Sequence, residues 1–150
     1  MIKQRFKDQY LQIWNNEINT NSICLNYRMF KRVFGFENYL LTLERPLRDY
    51  MMKFRFSNHK LPIHSQRFAG IQRSERVCEL CNSEEIGDEF HYLFNCQDAT
   101  IARERKKLLN AYFLKGANAI KYHSLMNVKS YAKQRKLARL VGLILGIFRR

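Results

Sequence analysis

Three of the chain's four cysteines and one of its four histidines fall within one short run, CELCNSEEIGDEFHYLFNC, from Cys78 to Cys96. The spacing is Cys78-x2-Cys81-x9-His91-x4-Cys96. Two cysteines separated by two residues can bring both sulfurs to one ion where the chain turns tightly between them. Such a turn favours a left-handed residue just after the second cysteine, and Asn82 is the best non-glycine type for that conformation. Gly87 would let the following segment double back. His91 and Cys96 are five apart, which on a regular α-helix is about 140° of rotation. The segment is therefore expected to make one helical turn from about Phe90 that ends or distorts at Cys96. Tyr92, Leu93 and Phe94 would pack that turn against the core. Three thiolates and one imidazole make a closed tetrahedral set of the kind that holds one structural Zn2+. Four protein ligands leave no position for water, so the expected role is structural and not catalytic. A divalent ion with three thiolates keeps a formal charge of about −1, which Arg73 and Arg76 would offset.

Other chemistries fit the spacing less well. A thioredoxin-like pair needs a βαβ context, which Cys78 and Cys81 lack. A nucleophilic cysteine needs an activating histidine and an orienting carboxylate, and nothing selects such a set. Unrelated thiols placed in a reduced core are the plain alternative. Cys24 reads as a small core residue. His59, His64 and His123 lack ligand spacing to one another. Asp88 and Glu89, just before His91, could orient its ring.

The elements that must position this cluster are helical. Pro and Gly are scarce, 2 and 6 in 150 residues, which disfavours hairpin-rich β architecture. With 46% apolar and 13% aromatic residues there is material for a core. Apolar periodicity suggests a first helix through Ile2, Phe6, Ile13, Trp14 and Ile18. Two short helices follow around Gly35, then one opened by Pro46 and running from Leu47 to about Phe56. Ser57 to Val77 reads as an ordered connector. After the cluster, Asp98 or Thr100 can cap a helix to about Leu114. A short helix near Ala117 to Met126 precedes the last, from Tyr131 to Phe148 behind Ser130. The expectation is a mainly α chain, a small helical domain with one structural Cys3His zinc knuckle and little or no β structure. Its segments are 1–56, 57–97 and 98–150, folded as one compact domain.

Net charge is +14 and unevenly placed. Residues 1–100 hold fourteen Lys/Arg against twelve Asp/Glu, whereas residues 101–150 hold thirteen against one. Such asymmetry points to a polyanionic partner, RNA or DNA in the first instance. The flanks of the cluster supply Lys53, Arg55, Lys60, Arg67, Arg73 and Arg76 before it and Arg103, Arg105, Lys106 and Lys107 after it. Phe54, Phe56 and Phe68 could stack bases if exposed, and at least two of them are expected in the core. No secretory signal opens the chain. Its longest apolar run, Leu140 to Phe148, has nine residues, where a membrane span takes about 20. An intracellular protein of nucleus or cytoplasm is expected, neither secreted nor transmembrane, with reduced thiols. The basic amphipathic stretch Lys133 to Arg150 could lie on a membrane surface, but core packing explains the same stripe, and no membrane partner is expected.

The block KFRFSNHKLPIHSQRFAGIQRSERVCELCNSEEIGDEFHYLFNC, Lys53 to Cys96, resembles the zinc-binding segment near the C-terminus of non-LTR retrotransposon reverse transcriptases. The flanks YRMFKRVFGFENYLLTL on one side, and the basic helix and final apolar helix on the other, resemble the same region. The resemblance implies that Cys78, Cys81, His91 and Cys96 are the zinc ligands. It also implies that Arg67, Arg73 and Arg76 hold nucleic acid. The polymerase YxDD motif and any endonuclease motif are missing, which implies a detached or truncated copy of such a tail that is not itself an enzyme. The implied function is nucleic-acid binding by backbone electrostatics. The alternative is a zinc-stabilised protein-interaction module that docks the apolar face of Tyr131 to Phe148 on the polymerase domain of an intact element or on a host protein.

Overall fold

In the computed structural model, which describes residues 2–149, the chain is mainly α-helical, with no strand among those residues. The last helix explains the arrangement best. Leu137, Ala138, Leu140, Val141, Ile144 and Leu145 recur at helical spacing and are all buried. This helix, Tyr131–Ile147, is one of nine α-helices in the order α1 Ile2–Thr20, α2 Leu25–Phe30, α3 Tyr39–Thr42, α4 Arg45–Arg55, α5 Pro62–Phe68, α6 Ala99–Leu108, α7 Ala111–Leu114, α8 Ala119–Met126 and α9. Against α9 pack α3, α4, α6 and the turn that carries His91, while α2 lies on α8 and α1. One hydrophobic cluster runs from Ile18 to Leu145 and draws on all three expected segments.

Local chemistry sets the boundaries. Pro46 lies in the first turn of α4 and Pro62 in that of α5, where the missing N–H removes no helical bond. The Asp98 carboxylate accepts from the Thr100 and Ile101 amides at 3.1 and 3.0 Å, which caps α6. The Asn118 side chain caps α8 in the same way. Ser130 sits before α9 in extended conformation, and it is its carbonyl, not its hydroxyl, that accepts from Gln134.

Two expectations change. The segment 57–77 is not a bare connector, since it contains α5 and a 3-10 turn at Arg73–Glu75. The helix expected to reach Leu114 stops at Leu108, because Leu109 is extended (ψ 147°) and Asn110 starts α7 by accepting from Tyr112 N–H. The periodic apolar residues of α1 do not face the core. Ile2, Phe6, Tyr10 and Ile13 are exposed, and α1 meets the rest of the protein through its C-terminal end, where Ile18 is buried. Tyr10 and Trp14 meet Phe34 edge-on, with ring centroids 5.3 and 5.5 Å apart.

The face of α9 proposed as a docking surface is filled from within. Leu140 and Ile144 are fully buried and Phe148 packs edge-on against Tyr92. Among the described residues no helix is long and apolar enough to cross a membrane.

The approach of α4 to α9 depends on Gly142. A Cβ there would lie 2.6 Å from the Tyr50 ring. Gly142→Ala should therefore destabilise the protein by about 1–3 kcal/mol through overpacking, although alanine is intrinsically the better helix former. Urea unfolding would measure it. The Tyr50→Ala/Gly142→Ala pair should be less destabilised than the sum of the single variants. Strict additivity would show that the contact does not limit the approach.

Candidate metal centre

The cluster is assembled by two short pieces of chain. In the first, Cys78 N–H donates to Glu85 O at 2.8 Å and Gly87 N–H to Arg76 O at 2.8 Å, with a bridge between Val77 and Ile86. This tight loop presents Cys78 and Cys81. Its left-handed residue is Glu84 (φ 56°) and not Asn82. The chain reverses later than expected, where Ser83 Oγ accepts from the Glu85 amide at 3.4 Å. Gly87 contributes through space and not through φ: a Cβ there would come within 3.0 Å of Pro62 and 3.1 Å of the Tyr92 hydroxyl oxygen.

The second piece is a π-turn, His91–Asn95. Cys96 N–H donates to His91 O at 2.8 Å, a bond spanning five residues in place of four. The wider turn rotates position 96 back over position 91, which a regular helix would not do. The expected distortion is thus present, with Tyr92 and Leu93 fully buried beneath it. Arg105, on α6, reaches under the turn: Nε donates to Leu93 O at 2.8 Å and Nη2 to Tyr92 O at 2.9 Å. These are carbonyls that the wide turn leaves available.

Cys78 Sγ lies 3.9 Å from Cys96 Sγ, and Cys81 Sγ lies 3.4 Å from His91 Nε2. All four donor atoms fall within 4.8 Å of one another. A tetrahedral ion with sulfur bonds of ~2.3 Å and nitrogen bonds of ~2.0 Å separates two sulfurs by ~3.8 Å and a sulfur from a nitrogen by ~3.6 Å. The residues present therefore fit one divalent ion. The sulfurs are far too distant for a disulfide, which needs about 2.05 Å, and all four cysteines are free.

Electrostatics point the same way. Burial, together with the neighbouring Cys78 and Cys81 sulfurs, pushes the Cys96 thiol up to about 12. Cys81 behaves oppositely: burial would raise it, but the Ser83 hydroxyl, the Gln97 and Ser83 amides and the Cys78 thiol bring it down to about 6. Three thiolates this close repel one another, and a shared cation relieves that repulsion.

The residue that orients His91 is Glu85. Its Oε2 lies 2.6 Å from His91 Nδ1, and it also accepts from Asn95 Nδ2 at 3.2 Å. His91 Nε2 is thereby left to face the sulfurs. Asp88 serves the backbone instead, with Oδ1 accepting from His91 N–H at 2.9 Å. Glu89 points away from the cluster. No sequence cue singled out Glu85: the bridge between Val77 and Ile86 that folds it onto His91 is a geometry that spacing alone does not reveal.

Glu89 organises a second polar cluster. Its Oε1 lies 2.9 Å from His59 Nε2, 3.1 Å from His64 Nε2 and 2.9 Å from Ser57 Oγ. Burial alone would raise this carboxyl, but the two imidazoles hold it well below the usual carboxylate range. His59 Nδ1 accepts from Leu61 N–H at 3.4 Å, so the neutral ring carries its proton on Nε2 and donates it to Glu89. The ligand atoms of His59, His64 and Glu89 all lie within 4.8 Å of one another, so the fold brings together two histidines that lack ligand spacing in the sequence.

The expected nucleic-acid residues divide. Lys53, Lys60, Arg67, Arg73, Arg103, Lys106 and Lys107 are exposed. Arg103 and Lys107 share Glu104, at 3.3 and 3.0 Å, and Arg73 lies 3.9 Å from Asp88. Arg55 is 2% exposed and cannot meet a phosphate. Its Nε pairs with Glu37 at 2.6 Å, Nη1 donates to Met126 O at 2.7 Å, and its guanidinium lies over Phe30 and Tyr39. Arg105 is likewise buried under the π-turn. Arg76 is half-buried, donating to Ile71 O at 2.8 Å and Ile63 O at 3.0 Å, so it braces the chain and does not neutralise the sulfurs. Of the three phenylalanines only Phe54 is core. Phe68 is 91% exposed and Phe56 stacks on Tyr27 while half open to solvent.

Compared with family models, with curated proteins and with solved structures, the chain matches none.

Glu85→Ala should weaken metal binding about 10–100-fold, because His91 loses the group that fixes its ring. Competition with a chromogenic chelator would read this, and an unchanged affinity would remove Glu85 from the centre. Arg105→Met should lower unfolding free energy by about 1–3 kcal/mol, since two buried carbonyls lose their donor.

Proposed function

We propose that the chain is a zinc-stabilised nucleic-acid-binding module, derived from the C-terminus of a non-LTR retrotransposon reverse transcriptase and working inside the cell, in nucleus or cytoplasm. The observation that carries this reading is the convergence of Cys78, Cys81, His91 and Cys96 within 4.8 Å. Zinc suits this donor set best, because three thiolates and an imidazole in tetrahedral array match its preferences over those of oxygen-seeking cations. When bound, it would supply folding free energy, on the order of 10 kcal/mol for sites of this kind, to a loop that has little apolar content of its own. With every position taken by protein, the centre has no place for a reacting water, and we assign it no catalytic role.

The partner reading rests on charge. Lys53, Lys60, Arg67, Arg73 and Lys106 are all exposed to solvent, in a chain of net charge +14. Phosphate contacts of this kind give affinity without sequence discrimination. Phe68, almost wholly exposed at the end of α5 beside Arg67, offers a stacking face. A protein-docking role gains one specific support, at a different place from the one first expected. The exposed stripe Ile2, Phe6, Tyr10 and Ile13 on α1 would be the surface for a polymerase domain or host partner.

Binding to a single-stranded oligonucleotide should fall steeply with salt. The slope of log K against log salt should shrink by about 0.7 for each exposed cation that touches a phosphate. Arg67→Ala and Lys106→Ala should each reduce it, whereas Arg105→Met should leave it unchanged and lower the melting temperature. Fluorescence anisotropy across a salt series measures all three. A flat salt response of the wild-type protein overturns the proposal.

A further inference from the structure

One cleft on the surface is lined by none of the cysteines and by no residue of α6. It has a volume of about 440 Å³ and lies between α4, the loop after it and the end of α9, within the range of small-ligand sites, about 300–1,000 Å³. Lys53, Lys60 and Arg149 line it, with Tyr50, Asn58 and His59, and among the described residues no carboxylate does. Glu89 stands behind the wall, 2.9 Å from His59 Nε2 and bonded also to Ser57 and His64, and Asp49 lines an adjoining cleft that shares Tyr50, Lys53 and Arg149.

The wall of this cleft is fixed by the fold. Ser57 is held in left-handed conformation (φ 55°), buried, with its hydroxyl donating to Glu89. Asn58 N–H then donates to Lys53 O at 2.8 Å, which ties the loop back to α4. His59 is anchored by Glu89 at 2.9 Å. On the opposite side the Arg149 guanidinium lies 5.3 Å from the centre of the Tyr50 ring, and Tyr50 itself is seated against Gly142. Three cations thus line one concavity from three separate pieces of chain, together with Asn58. That arrangement matches the charge and the acceptor oxygens of a phosphate ester. Exposed lysines scattered on a helix do not create such a site. A strained loop whose buried residues are bonded to the element carrying His91 does.

We infer that this cleft is a phosphate site for one backbone ester of a polynucleotide strand, an inference that rests on the nucleic-acid reading above and adds Arg149, Tyr50 and Asn58 to its contacts. The test uses the full metal-loaded chain, wild type and Lys60→Gln/Arg149→Gln, both changes at exposed positions. Amide chemical shifts are followed by NMR while inorganic pyrophosphate, or separately a thymidine oligonucleotide of about ten residues, is added. Saturable shifts at Tyr50, Asn58, His59 and Lys60 with both ligands, weakened about tenfold or more in the double variant, are expected. No saturable pyrophosphate shift in the cleft, or one that the double variant leaves intact, overturns the site. If the oligonucleotide binds both proteins equally, the strand lies elsewhere. The cleft is then excluded while the proposed function stands. If pyrophosphate fills the cleft but no oligonucleotide binds, it is the polynucleotide reading that falls, and the inferred ester with it.

Discussion

The geometry of the metal centre depends on a single widened turn. A histidine and a cysteine five residues apart cannot share a centre on a regular helix. The chain resolves this with a π-turn closed by the Cys96 amide on the His91 carbonyl. Such a turn is strained relative to an α-helix and survives only where its surroundings over-determine it. Here they do so from two sides. Tyr92 and Leu93 are driven into the core, and Arg105 collects the carbonyls of both residues from below. α6 therefore belongs to the centre although it supplies no ligand, and α9 supports it by packing on both.

The cluster also illustrates how a fold can hold groups together that repel. Without a cation, the thiols cannot all ionise, and the opposite displacements of Cys81 and Cys96 express that conflict. Amides and a hydroxyl stabilise the outer thiolate at Cys81, whereas Cys96 is enclosed. Of the two arginines expected to balance the charge of the loop, Arg73 lies near Asp88 and Arg76 is spent on carbonyls, whereas the buried Arg105 is close enough to Cys96 to interact with its charge. A divalent ion is the one species that would satisfy all four donors at once.

Much of this was legible in the sequence, for identifiable reasons. The ligand set follows from residue types and spacing, and the distortion at Cys96 follows from five residues not matching 3.6 per turn. α4, α8 and α9 follow from apolar periodicity, with Pro46 and Ser130 read at the starts of the first and the last. What was not legible depends on contacts between distant residues. Glu85 looked like any acid of a polar loop until the bridge between Val77 and Ile86 folded it onto His91. Glu89 and His59 are 30 residues apart, and no local pattern joins them. The apolar periodicity of α1 located the helix, but periodicity reports an amphipathic face without saying what covers it, and most of that face is exposed.

The same limit explains why a count of positive charges misjudged the surface. Of the ten cations expected to meet nucleic acid, Arg55 and Arg105 are buried and Arg76 is half-buried, and all three are arginines. The planar guanidinium can satisfy several acceptors at once and is weakly hydrated. It is therefore the cation that can be withdrawn from water to terminate the loose carbonyls of a π-turn, of the segment after α5, or of the end of α8. A lysine ammonium is compact and strongly hydrated, and the lysines of that set all remain at the surface. Within this fold the arginines divide between scaffold and surface, whereas the lysines mark where a polyanion could lie. The exposed members of the set are Lys53, Lys60, Arg67, Arg73, Arg103, Lys106 and Lys107, and none of them is a ligand of the metal loop.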